Sequence, residues 1–161
     1  MQPQGSNAEI LNPQLVSIEA HEVSSSLESH HDNNVYPITS ARVCTLAAHA
    51  SANTFSDWTE ITDGTQTLSS KFATKSGYIS SMVIEAMATK DKRAIVELSY
   101  GVAKVVIGRI RFMSAGTQLN TRMDTRFRGL LVPAGETVYY RMMCETGAAT
   151  AEVMFRWWTT T

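Results

Sequence analysis

The sequence predicts an all-β protein: an antiparallel β-sandwich of the jelly-roll kind, with eight or nine strands, behind an extended and partly helical N-terminal arm; an immunoglobulin-type sandwich is the alternative, though its Cys–Trp–Cys spacing is missing. Three observations predict it. From about Val35 onward, apolar and polar residues alternate with a period of two, as in half-buried strands. Turn-forming residues interrupt that alternation at intervals of roughly ten residues, the spacing of a sandwich or barrel. No long apolar stripe of helical period follows, so strand–helix–strand units are not expected.

Taken in order, residues 1–37 read as the arm and 38–161 as the sandwich. The arm is rich in Ser, Asn, Gln, Glu and His and has no aromatic residue before Tyr36. Asn12-Pro13 reads as an N-cap followed by proline at the first helical position. Leu11, Leu15 and Ile18 then form a thin apolar stripe, which suggests a short helix over about 13–29. Such a segment cannot bury enough surface to fold alone and must dock to become ordered.

In the body, Arg42–Ala48 is the first strand candidate. Ser56–Thr62 follows and ends at Asp63-Gly64-Thr65, a strong turn signal. Thr65–Phe72 reads as a weaker strand. The run Tyr78–Ala88 stops at Lys90-Asp91-Lys92-Arg93. Ala94–Tyr100 and Ala103–Met113 flank Gly101, and Thr125–Val132 leads into Pro133-Ala134-Gly135-Glu136. Thr137–Glu145 and Thr150–Trp158 form the clearest pair, around Gly147-Ala148. Val138, Tyr140, Met142 and Cys144 share one face there, and Tyr139, Arg141, Met143 and Glu145 share the other.

The 161 residues, 43% of them hydrophobic, suit one domain with a sizeable core. A formal net charge of −1 gives no global pull toward nucleic acid or anionic membranes. No stretch approaches the ~18 apolar residues of a membrane helix. The first residues lack the charged and apolar regions of a secretion signal, so synthesis in a cytoplasm is expected. Cys44 and Cys144 sit in apolar runs and read as buried free thiols, with a disulfide as the alternative. The even charge conceals a division. Residues 1–68 carry eight acids and one base, while 69–161 carry thirteen bases and seven acids. An acidic leading segment on a basic body suggests contact between them, within a subunit or between neighbours.

No catalytic constellation, cofactor motif or metal site can be assembled, so no enzymatic role and no cofactor are expected. Three of the four histidines, His21, His30 and His31, lie in the arm, and no cysteine or histidine follows them at zinc-binding spacing. Glycine-rich phosphate loops, G-x-S-x-G and H-E-x-x-H are absent. Glu60 and Glu85 are a conceivable glycosidase-like pair, but surface glutamates on strands are the simpler reading.

Arginine is more informative. Arg109/Arg111 and Arg126/Arg128 each recur at i, i+2, which places both members of each pair on one sheet face. With Arg141 they are candidates for a subunit interface that pairs with carboxylates. A solvated outer face and a nucleic-acid track are the alternatives, the latter opposed by interleaved acids. Trp157 and Trp158 are consecutive on a strand and must face opposite sides, so one is expected outside the core. With Tyr139 and Met143 also turned outward, an exposed apolar patch is expected, suited to protein contact or to sugar stacking. The interface candidates are thus Arg109, Arg111, Arg126, Arg128, Arg141, Tyr139, Trp157 and Trp158, with Leu15 and Ile18 from the arm.

Four segments carry a resemblance: Trp58-Thr59-Glu60-Ile61, Ala94–Gly101, Arg128–Val138 with its Val132-Pro133-Ala134-Gly135 turn, and Thr150-Ala151-Glu152-Val153. In order and turn placement, residues 55–158 resemble small structural proteins of tailed-bacteriophage virions. The resemblance implies a jelly-roll that decorates or cements a phage head, commonly as a homotrimer whose arm reaches over the major capsid protein or other virion proteins. It implies a virion location, on the head surface more than on the tail, while the balanced charge points to neither nucleic-acid nor membrane binding. It supplies no catalytic residues. The density of Arg and Met around 109–128 and at Met142-Met143 departs from the pattern. A tail or baseplate component and a carbohydrate-binding module are the rival expectations.

Overall fold

A computed structural model describes residues 34–113, 123–126 and 129–160. The strands are β1 (Asn34–Tyr36), β2 (Cys44–Ala47), β3 (Thr59–Glu60), β4 (Gly77–Met87), β5 (Arg93–Tyr100), β6 (Val105–Met113), β7 (Met123–Arg126), β8 (Val138–Cys144) and β9 (Thr150–Thr159). They form two antiparallel sheets. The five-stranded sheet runs β1-β9-β4-β7, with β2 also on β9, and the four-stranded sheet runs β3-β8-β5-β6. The chain is thus an all-β sandwich. β1 and β2 share one edge of β9: β1 pairs with 155–157 and β2 with 150–153.

Alternation explains which face of β8 turns inward. Val138, Tyr140, Met142 and Cys144 are buried, while Tyr139, Arg141 and Met143 are half-buried. Across the interior, β9 contributes Ala151, Val153 and Phe155, and β4 contributes Ile79, Met82 and Ile84. Burying each larger apolar side chain stabilises the fold by roughly 1.5–3 kcal/mol. The central strand β5 breaks the alternation. Ile95, Glu97 and Ser99 point away from the core, yet they are as buried as Ala94, Val96 and Leu98. Long side chains of the flanking strands close over them, because Ile95 lies between Arg111 and Met143 and Glu97 between Arg109 and Arg141.

The turns follow their local chemistry. Asp63 Oδ1 accepts the N–H groups of Thr65 and Gln66, and Gly64 takes φ +85°, so the chain reverses at Asp63-Gly64-Thr65. Gly135, at φ +79°, completes the Pro133–Glu136 turn.

Three expected elements differ. Thr65–Phe72 is not a strand: after a single bridge between Thr62 and Thr67 the chain winds into a 3-10 turn, Leu68–Phe72, whose Leu68 and Phe72 enter the core. Thr125–Val132 is shifted: β7 already starts at Met123 and ends at Arg126, and Val132 makes only an isolated bridge with Gly77. β1 falls within the residues assigned to the arm. Its pairing with β9 ties these residues to the five-stranded sheet, and its fully buried Tyr36 donates its hydroxyl to the Gln66 carbonyl. The helix expected over 13–29, with Leu15 and Ile18, lies outside the described residues.

Candidate interaction face

The outer surface of the four-stranded sheet gathers most of the chemistry. At its centre Glu97 stands between arginines on both neighbouring strands, in register with Arg109 of β6 and Arg141 of β8. Arg109 Nε donates to Glu97 Oε1 at 2.5 Å, and its Nη2 pairs with the same oxygen. Arg141 Nε and Nη2 both reach Oε2, at 2.6 and 2.5 Å. Each carboxylate oxygen therefore receives two charged donors. The Glu97 side chain is only 1% exposed, against 63% for Arg109 and 32% for Arg141. Removing a lone carboxylate from water is costly, and the paired guanidinium forks offset that cost.

Arg141 is held from a second direction. The segment after β2 runs along the free edge of β8: Asn53 N–H donates to the Cys144 carbonyl at 2.7 Å, and Ser56 N–H to the Met142 carbonyl at 2.9 Å. Met142 N–H in turn donates to Ser56 Oγ. This track places Phe55 and Trp58 against Arg141, whose guanidinium carbon lies 4.4 and 4.6 Å from the two ring centres. Nearby, the Lys104 ammonium sits over the Tyr139 ring. The result is a patch of aromatic and cationic groups packed against one another.

One end of this face is concave. A cavity of about 130 Å³ is lined by Asn53, Arg93, Ile95, Arg111, Met143, Cys144 and Glu145. Arg93 pairs with Glu145 at 3.6 Å. Among the described residues, Arg111 has no carboxylate within salt-bridge distance.

The expected interface residues do not all meet. Arg109, Arg111, Arg141 and Tyr139 share this face. Arg126 ends β7, a strand of the other sheet, in register with Ser81. Arg128, Leu15 and Ile18 lie outside the described residues. Trp157 turns inward and meets Phe72 edge-on at 5.7 Å. Trp158 turns outward from the five-stranded sheet and stacks on Tyr78 at 4.5 Å. Tyr139 and Met143 therefore lie on the opposite side of the sandwich from Trp158, so the expected single apolar patch does not form. Glu60 and Glu85 belong to different sheets, and Glu60 accepts a hydrogen bond from Ser69 Oγ, which leaves no facing carboxylate pair. His49 Nδ1 accepts the Ser51 N–H and shapes a turn. His30 and His31 lie outside the described residues.

The residue that organises the face, Glu97, was not singled out in the sequence. Its one signal is being the lone acid within Ala94–Leu98, where a charge in an apolar strand requires a partner.

A second polar cluster closes the β1 edge. Tyr36 Oη also accepts the Asp63 N–H, and Arg42 pairs with Asp63. The Gln66 and Thr65 N–H groups, aided by Arg42, hold the Asp63 carboxyl below its ordinary range. Burial, with the charges of Asp63 and Glu85, pushes the free Cys44 thiol up to about 12, and burial likewise raises the Tyr36 phenol. Both cysteines are free and buried.

Comparison with protein-family profiles, with curated protein sequences and with solved structures found no match to this chain.

Proposed function

We propose that the chain is a jelly-roll structural protein of a bacteriophage virion, one that decorates or cements the capsid as a homotrimer. The strand order carries the reading. If β1 and β2 count as one interrupted edge strand, four strands in the order β2-β9-β4-β7 face four in the order β3-β8-β5-β6. That order is the one expected of two interlocked Greek keys, and it supports a jelly-roll of the kind common in capsid domains.

The outer face supports a role in contact rather than turnover. Arginines and aromatic rings immobilised on a sheet lose little freedom when a partner binds, and such residues are enriched at protein interfaces. The acidic leading segment is complementary in charge to this face and would act as a strap onto capsid or neighbouring subunits. Repetition around a particle multiplies modest contacts, so no single one has to be strong. Sugar stacking has less support, since the Trp58 ring is engaged by Arg141 and the Trp158 ring by Tyr78.

The test is immunogold electron microscopy of virus particles from the source of the sequence, with antibody raised against this chain. Labelled heads support the reading; labelled tails would make the protein a tail or baseplate component, and unlabelled particles would exclude the virion role.

A further inference from the structure

The geometry points to a carboxylate-binding pocket between Arg93 and Arg111 that receives an acidic side chain from residues 1–33 of this chain. The inference rests on the subunit-contact reading above and assigns it a specific site.

The pocket is built like a receptor for one carboxylate on a short apolar stem. Its floor is Ile95, which is buried. Met143 on β8 forms one wall, and Arg111 on β6, in register with Ile95, forms the other. Asn53 closes the third side. It is held in a left-handed conformation (φ 56°), and its N–H donates to the Cys144 carbonyl. Arg93 and Glu145 stand at the rim. The volume of about 130 Å³ suits a carboxylate and a methylene or two.

Among the described residues, Arg111 is the cation of this set with no carboxylate at salt-bridge distance. Arg109 and Arg141 are committed to Glu97, and Arg93 is committed to Glu145. A guanidinium fork beside an apolar floor and a side-chain amide favours a planar carboxylate, which it can bind with two parallel hydrogen bonds.

Charge indicates the source. Residues 1–33 hold Glu9, Glu19, Glu22, Glu28 and Asp32 and no lysine or arginine. Phosphate from a nucleic acid is a poorer fit, because the other cations of this face are paired with Glu97 and Glu145, which leaves one guanidinium beside an apolar floor rather than a track of open charges.

The test uses a fluorescently labelled synthetic peptide of residues 1–33 as the probe. The acceptor is the full chain with those five acids changed to Gln or Asn, so that its own arm does not compete. Fluorescence anisotropy should show saturable, salt-sensitive binding that weakens at least about tenfold on Arg111→Ala, the size of one charge-assisted contact. A peptide with its acids neutralised should bind as weakly. Lys90→Ala, a charge change outside the pocket lining, should leave binding unaltered. Equal binding by the parent and Arg111→Ala, or no binding of the acidic peptide, would overturn the proposal. So would tighter binding of a single-stranded DNA oligonucleotide than of the peptide. Because particle labelling is independent of this titration, failure here with gold-labelled heads would remove the pocket and leave the virion reading standing.

Discussion

Glu97 and Arg141 are joined across the β5–β8 ladder by two charged hydrogen bonds to one carboxylate oxygen, with the acid buried and the base packed on Phe55 and Trp58. The pair links residues 44 positions apart and fixes the centre of the outer face.

The first expectation concerns the two arginines. Arg141→Ala should destabilise more than Arg109→Ala, because Arg141 is the more buried and also stacks on two rings. Each single loss leaves Glu97 one partner, and solvent screening at the exposed arginines keeps the cost near 1–2 kcal/mol. The double variant leaves a buried carboxylate with no counter-charge and should cost more than the two singles together, about 3–5 kcal/mol. Urea unfolding of the four proteins measures this cycle; additive losses would show that the two arginines act independently.

Arg141→Lys keeps the charge but removes the planar fork and the stacking surface. A loss of about 1 kcal/mol is expected, together with a change in Trp58 emission. Thermal unfolding and tryptophan fluorescence report it, and an unchanged protein would show that the guanidinium plane contributes nothing.

Stability should fall at both ends of the pH scale, for different reasons. Asp63 has a depressed folded-state pKa, so its contribution is complete above the unfolded value and is lost as pH drops through the folded value. Cys44 is the reverse case. Its neutral form is favoured in the fold, so its contribution is complete below the ordinary thiol value of 9.0 and is lost between there and about 12. The raised Tyr36 phenol adds to the alkaline loss. Replacing Cys44 by Ala should flatten the decline in stability above pH 9, read from urea midpoints across the range; an identical slope would separate Cys44 from alkaline unfolding.

Gly77→Ala should be among the most damaging small substitutions. A Cβ at that position would stand 2.2 Å from the Trp158 carbonyl oxygen and 2.8 Å from the Phe72 ring, so β4 and β9 would have to part. A cost of about 2–3 kcal/mol is expected. Gly64→Ala, with open space around it, should carry only the backbone penalty of about 1 kcal/mol. Similar melting temperatures for the two variants would contradict this.

Much of the sandwich is legible in the sequence, since period two and turn residues are local signals. β8 and β9 follow directly from the alternation on either side of Gly147-Ala148, and β4, β5 and β6 from long apolar runs ended by charged or glycine turns. β1 was hidden because three residues in a polar stretch carry no period; only pairing with β9 makes them a strand. Leu68–Phe72 has strand-like composition, but the Asp63 turn sets its direction and the core claims Leu68 and Phe72 from a 3-10 turn. The face was legible in part. The spacing of Arg109 and Arg111 placed them together, but no local pattern shows that residues 12 and 44 positions away converge on Glu97. The opposite fates of Trp157 and Trp158 follow from their adjacency, whereas their partners Phe72 and Tyr78 come from elsewhere in the chain.

The account stands on the outer sheet surface being made for contact with other copies and other proteins. Multi-angle light scattering of the purified full chain tests this most directly. A mass three times the 17.7 kDa of one chain, falling toward the single-chain value in high salt, is the expected result. A single-chain mass at every accessible concentration and salt strength would contradict it.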